Sequence, residues 1–200
     1  MNQDITVLRD SLIEAALPNV AFDGWTWLLL ENAACSCGYE KGMARAAFPV
    51  GISEAVSHFS DLYDRRMLTA LDHIDPAMLR VRERVALAAK TRMKCLHPHK
   101  DAVRMALSYW ILPPREARAA QALWATADRI WRWAGDTATD YNRYTKRSLL
   151  CGVLATTTLA WLNENDDPDH QKTDAFLDRR IENVMQIGKL FGTIKEKKRA

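Results

Sequence analysis

From Ile5 to Phe191 the apolar residues recur three and four positions apart, and proline or glycine breaks that rhythm at intervals. No stretch alternates apolar and polar residues as a half-buried strand does. A chain patterned this way buries its stripes only by packing helix on helix, so the predicted class is all-α. Nine helices are expected. Ile5, Leu8, Leu12 and Ala16 mark the first, which stops at Pro18, and Trp25, Leu28, Leu29 and Ala33 mark the second, closed by Gly38. A short third, over about 40–47, stops at Phe48-Pro49. Ile52, Val56, Phe59, Tyr63, Met67, Leu71 and Ile74 trace a long fourth, ending at Asp75-Pro76. The fifth carries Met78, Val81, Val85, Ala89 and Leu96, with a basic opposite face of Arg80, Arg82, Arg84, Lys90, Arg92 and Lys94. Pro98 precedes a sixth through Val103, Ala106, Leu107 and Trp110, which ends at Pro113-Pro114. The seventh runs from Ala117 to Ala134, closed by Gly135, and Thr137 is the predicted N-cap of an eighth that reaches about Leu162. Phe176, Leu177, Ile181, Val184, Ile187 and Phe191 make the ninth.

The loops are short and no internal repeat divides the chain. The expected organisation is one all-α domain over residues 1–200, with a three-helix head (1–50), a body (51–192) and a basic tail (193–200). At 200 residues the core needs no disulfide or metal staples. Four cysteines make no disulfide framework, and Cys35 and Cys37 are one residue apart rather than the two of a redox or zinc hairpin, so free thiols in a reducing compartment are expected. Residues 1–10 hold no basic region followed by an apolar run, and the intact Met1 start points to a free-living bacterial protein rather than a processed organelle form. The nearly uncharged stretch 148–163 is shorter than the ~20 apolar residues of a spanning helix.

Charge is unevenly spread. Residues 1–58 hold three basic side chains (Arg9, Lys41, Arg45) against seven acidic ones, while the whole chain has 28 basic and 25 acidic. The head, a helix, a turn, a second helix and a short third before a long connecting helix, resembles the tetracycline-repressor (TetR) architecture, a helix-turn-helix followed by a ligand-binding and dimerising body. A DNA-reading head must neutralise phosphates with Lys and Arg. The reading-helix segment Tyr39 to Ala47 has two cations and one anion, so a role in nucleic-acid binding is not expected, and a ligand-responsive TetR-type regulator is the alternative.

A narrower resemblance rests on an ordered set of strings: Ala16-Leu17-Pro18, Phe22-Asp23-Gly24-Trp25-Thr26, Ala47-Phe48-Pro49, Pro98-His99-Lys100, Thr126-Ala127-Asp128-Arg129-Ile130-Trp131, and Ala134-Gly135-Asp136. The most specific are Thr139-Asp140-Tyr141-Asn142, Tyr144-Thr145-Lys146-Arg147, and the run Ala175 to Met185. Together, over about 11–189, they resemble the coenzyme Q (ubiquinone) biosynthesis accessory family COQ9, whose bacterial members are called RpsU-divergently transcribed proteins. The resemblance implies a TetR-like fold without the DNA role and a homodimer formed through the last helices. It further implies an apolar pocket for isoprenoid quinone intermediates, no catalysis and no cofactor. It also implies presentation of the lipid to the di-iron demethoxyubiquinone hydroxylase by a patch on the eighth helix. The location it implies is cytoplasmic and peripheral to the inner membrane, or the matrix side in an organelle form.

Asp140, Arg143, Tyr144 and Arg147 map to that patch, and Arg143 stands where the family usually carries Trp. The bland alternative is a solvated helix face that Asp140 caps. Phe59, Tyr63, Met67, Leu107, Trp110, Leu123, Trp124 and Trp131 are the candidate lipid-lining residues, against the alternative of plain core at helical spacing. Lys189, Leu190, Phe191, Ile194, Lys195, Lys197 and Lys198 form a candidate interfacial anchor for transient membrane contact, against a basic terminus with no such task. His97-Pro98-His99 has no carboxylate at a spacing that completes a metal site, and the paired Glu-x-x-His motifs of a helical di-iron centre are missing. There is no Gly-x-Ser-x-Gly. Neither catalytic nor metal-ligating residues are expected.

Overall fold

A computed structural model describes the backbone of residues 2–165 and 167–197, and the side chains of residues 4–165 and 167–184. The helices are α1 (Asn2–Ala16), α2 (Val20–Asp23), α3 (Trp27–Ser36), α4 (Gly42–Ala47), α5 (Ile52–Leu71), α6 (Val81–Leu96), α7 (Lys100–Trp110), α8 (Glu116–Trp133), α9 (Tyr141–Asn163) and α10 (Gln171–Lys197). No strand occurs among the described residues. The fold is all-α, and each of the nine expected helices has its counterpart. The addition is α2, a single turn that continues from a 3₁₀ turn at Leu17–Asn19. Pro18 lacks the N–H that α1 would need next, so the helix tightens there instead of stopping.

The chain folds as two compact units, one of residues 1–67 with 95–122 and one of residues 68–94 with 123–200. The first is built around α1, α3 and α4, with the N-terminal part of α5 and all of α7 in the same unit. Leu12, Ile13, Leu30, Ala34, Ala47, Phe48 and Tyr63 are wholly buried in it. Thr26 caps α3 by accepting a hydrogen bond from the Leu29 N–H at 3.2 Å. Trp25, just before that cap, donates its indole N–H to the Ala102 carbonyl on α7 at 3.3 Å.

In the second unit Val85, Ala88, Ala89, Ile130, Ala134, Leu150, Val153, Leu154, Trp161, Leu177 and Ile181 are buried. Gly135 ends α8 in the left-handed region at φ +84°, as a glycine C-cap does. Arg84, on the predicted basic face of α6, turns inward to close that end. It donates to the Ala134 carbonyl at 2.9 Å and to the Leu79 carbonyl at 2.8 Å. The predicted N-cap at Thr137 is corrected to Asp140, whose carboxylate accepts from the Asn142 N–H at 3.0 Å. The reason lies one step earlier: the Asp136 side chain is drawn onto Lys146 and Arg147, so residues 137–139 must run non-helically to reach the start of α9.

Candidate functional site

The first turns of α9 carry the residues of the candidate patch, and an ion network underneath holds them. The Arg147 guanidinium donates to Asp128 on α8 at 2.5 Å and to Asp136 at 2.9 Å. It also donates to the carbonyl of Arg143 at 3.2 Å. Lys146 reaches Asp136 at 2.6 Å, and Arg132 reaches the second oxygen of Asp128 at 2.7 Å. The Arg147 side chain is 2% exposed and that of Asp136 5%. Burial alone would raise the Asp136 carboxyl, but hydrogen bonds from Lys146 and Arg147 outweigh it and hold the group below the usual carboxylate range. Burial would likewise lower the Arg147 guanidinium, and Asp128 and Asp136 outweigh that and raise it.

This network divides the four patch residues. Asp140 and Tyr144 face solvent, Arg143 is half-buried with a nitrogen 3.6 Å from Asp128, and Arg147 is buried. Arg147 is thus unable to meet a partner directly; it fixes the register of α9 against α8. Asp140 uses one oxygen on the Asn142 N–H and the other on the Asn142 side-chain amide at 3.0 Å, so capping and patch membership coincide in it. Two aromatics complete the surface. Tyr141 is 79% exposed and Tyr144 58%. Trp124 lies 6.1 Å from Tyr144, ring centre to ring centre, at 31°. The sequence signals Tyr141 by its place inside the Asp140–Asn142 string. It gives no such signal for Trp124, whose helical spacing groups it with the lipid-lining candidates.

The remaining lipid-lining candidates divide between the two units. Phe59 and Tyr63 pack edge to face at 5.0 Å, Trp25 sits 5.2 Å from Phe59, and His99 sits 5.6 Å from Tyr63. Met67 is wholly buried. These three candidates are core of the first unit. Leu107 is exposed, and Trp110 and Leu123 are half-buried. In the second unit Trp131 donates its indole N–H to the Lys146 carbonyl at 3.1 Å. It lines a small cavity of about 20 Å³ with Val85, Leu150, Ile181 and Val184. That space suits about one water molecule. An open groove of about 460 Å³ runs between α6 and α10, lined by Arg80, Arg82, Glu83, Ala86, Leu87, Lys90 and Asp178, with Lys90 and Asp178 paired at 2.7 Å. Seven of the eight candidates line neither cavity. The groove corresponds to the basic face that the sequence places on this helix.

The side chains of the seven residues of the candidate membrane anchor, 189–191, 194, 195, 197 and 198, lie outside those described. Among the described residues no helix is long and apolar enough to cross a membrane, and no group of three or more His, Cys, Asp and Glu side chains is placed to hold a metal ion. In the head, two of the three cations, Arg45 and Arg9, make ion pairs with side chains of the protein itself. Arg45 pairs with Glu31 at 3.0 Å and lies 4.5 Å over the Trp27 ring, and Arg9 pairs with Glu54 at 2.7 Å and donates to the Ala47 carbonyl.

The family model COQ9 matches residues 117–188, the span that contains the ion network and the exposed aromatics. Over 188 residues, 90% of this chain, it is 30% identical to the ubiquinone biosynthesis protein COQ9, mitochondrial, of Rattus norvegicus and covers 60% of that protein. The corresponding protein of Homo sapiens is 29% identical, with 58% covered, and that of Drosophila melanogaster is 25% identical, with 57% covered. The chain thus spans about 60% of the length of the curated relatives it matches. Among solved structures, a TetR transcriptional regulator from Nitrosomonas europaea superposes with a TM-score of 0.70 at 16% identity, covering 90% of this chain and 98% of that one. That likeness establishes a TetR-like fold. Along nine-tenths of its length the chain is similar in sequence to the COQ9 ubiquinone biosynthesis proteins.

Proposed function

We propose that the protein is a non-catalytic accessory factor of ubiquinone biosynthesis. In this reading it binds isoprenoid quinone intermediates and presents them to the di-iron demethoxyubiquinone hydroxylase. It works as a homodimer in the cytoplasm, in transient contact with the inner membrane. The observation that carries the reading is the similarity along 90% of the chain to proteins named for ubiquinone biosynthesis. The exposed first turns of α9 are the contact for the hydroxylase in this reading. Tyr141, Tyr144 and Trp124 offer aromatic anchors, which dominate interface energies, and Asp140 and Arg143 supply charges beside them.

The physical task is extraction. Each prenyl methylene leaving a bilayer for water costs about 0.8 kcal/mol, so a carrier must offer an apolar lining and release the ring at the enzyme's mouth. Native mass spectrometry of protein purified without detergent tests this. A bound isoprenoid quinone intermediate is expected; failure to co-purify one, or to bind one when offered, overturns the carrier role.

The TetR-like fold favours a second reading, a ligand-responsive regulator. It predicts sequence-selective, salt-dependent binding to DNA upstream of the protein's own gene. The internal pairing of Arg9 and Arg45 weighs against it, since the phosphates would have to compete with Glu54 and Glu31.

A further inference from the structure

Arg143 carries a charge that the ion network between α8 and α9 leaves largely unspent. Its counter-ion is Asp128, 3.6 Å away, and both carboxylate oxygens of that residue are already contacted at shorter range, one by Arg147 at 2.5 Å and the other by Arg132 at 2.7 Å. Among the described residues the Arg143 guanidinium makes no hydrogen bond. The network sets four cations, Arg132, Arg143, Lys146 and Arg147, against two acids, Asp128 and Asp136. Asp140, one turn before Arg143, is a third acid, but both of its oxygens are taken by Asn142. A positive charge is left over, and Arg143 is where it is free to act.

This guanidinium stands beside exposed rings. Trp124 and Asp128 are one turn apart on α8, and Arg143 and Tyr144 are neighbours on α9. Trp124 lies 6.1 Å from Tyr144, and Asp128 lies 3.6 Å from Arg143, so the two contacts are successive steps along one seam between the helices. The Arg143 side chain is 37% exposed there, between water and the helix surface. An arginine set among Tyr and Trp is the composition that interface centres favour.

The chemistry of the occupant follows from what Arg143 lacks. A surface that covers Tyr144 and Trp124 also takes the neighbouring guanidinium out of water, and a desolvated cation without an acceptor is costly. A carboxylate supplies two oxygens that match the planar guanidinium fork and a charge opposite to the surplus. An apolar surface would strand Arg143, and a basic one would add a fifth cation to the network.

We infer that Arg143 receives a carboxylate side chain of the partner protein, so that the surface docking on the first turns of α9 places an acidic residue opposite position 143. The inference rests on the reading of these turns as the hydroxylase contact, and it makes Arg143 the residue that selects the partner by charge.

Calorimetric titration of the full chain with the di-iron hydroxylase, over a series of NaCl concentrations, tests it. Arg143→Gln removes the charge while Asp128 keeps Arg147 and Arg132, so thermal unfolding should match the parent's. Affinity should fall about thirtyfold, the lower end for removing one side of a desolvated charge pair, and the remaining binding should weaken less steeply with salt than the parent's does. Arg143→Lys, which keeps the charge but not the fork, should recover part of the loss. If Tyr144→Ala weakens the complex and Arg143→Gln does not, the inference is overturned and the docking patch stands. Loss of affinity in Arg143→Gln with an unchanged salt dependence also overturns it, since the lost contact would then not be a charge pair. A parent that does not bind the hydroxylase at all overturns the reading of the patch and the inference with it.

Discussion

Arg147 on α9 and Asp136 after α8 meet at 2.9 Å with both side chains almost excluded from water. Arg147 lies three residues past Tyr144, and its pairing decides how the first turns of α9 are held. The energetics are those of a buried ion pair, in which the complete network contributes modestly and a broken one is costly. Replacing Arg147 with Met leaves Asp136 and Asp128 without their buried partner. The expected cost is about 3–5 kcal/mol, the range for removing one partner from a buried pair. Urea unfolding measures it, and adding Asp128→Asn and Asp136→Asn to the variant should recover part of the loss, because the stranded charges are then gone.

Acid should act on the same pair. The folded-state Asp136 carboxyl titrates below its ordinary 3.8, so the folded protein holds fewer protons than the unfolded chain as pH drops. The stabilisation is complete above 3.8 and is lost as pH falls through the lowered folded value. Asp136→Asn should flatten the dependence of unfolding free energy on pH in that acid range; a slope equal to that of the parent would count against the assignment.

A second, separate pH window belongs to His58 in the first unit. Its Nε2 lies 2.6 Å from Asp10, which also takes two hydrogen bonds from Arg65. Burial pushes His58 below its ordinary 6.5, with Asp10 and Asp61 opposing and Arg65 assisting. The unfolded chain therefore takes up a proton first as the solution is acidified. His58 contributes stability that is present above pH 6.5 and declines as pH falls toward the lowered folded value. NMR titration of the imidazole should give a midpoint below 6.5, and His58→Phe should remove the slope of stability in that interval.

The patch requires variants that separate contact from capping. Asp140 is the N-cap of α9, so Asp140→Lys removes a cap worth about 0.5–2 kcal/mol and inserts a cation at a helix N-terminus. Asp140→Asn keeps a capping side chain and removes only the charge. Tyr144→Ala removes an exposed ring and leaves the Asp140 cap in place. If the patch docks the hydroxylase, Tyr144→Ala should weaken association about tenfold or more with unchanged thermal unfolding, measured by calorimetric titration. Equal affinity for Tyr144→Ala and the parent removes the patch from the interface.

The helices are legible in the sequence because their stripes are long and their stops are chemical. Pro76, Pro98 and Gly135 punctuate the chain close to where the helices end. The cap falls at Asp140, three residues past Thr137, because local spacing does not reveal where a side chain such as Asp136 is pulled by residues ten and eleven positions on. The same limit separates Arg147 from Tyr144. Both lie on one stripe of α9, yet Asp128 and Asp136 bury the first and leave the second in water. Aromatic residues at helical spacing give no way to tell Phe59 and Tyr63, which pack on each other, from Trp124, which lies beside the exposed Tyr144. Periodicity reports which face of a helix is apolar; what fills the space in front of that face is decided by residues far away in sequence.

Gly135 offers a backbone test of the turn that sets up this arrangement. Its φ of +84° lies in the left-handed region, and a Cβ added there would come within 3.1 Å of the Arg84 guanidinium that closes the end of α8. Gly135→Ala thus combines strain from the left-handed backbone, about 1–2 kcal/mol, with displacement of Arg84 from the Ala134 carbonyl. Arg84→Met alone loses the closing hydrogen bonds but none of the backbone strain. In the double variant the crowding is relieved while the strain persists, so the two changes should cost less together than the sum of each alone. Strict additivity in chemical denaturation would show that Arg84 and Gly135 act independently, against the close approach seen between them.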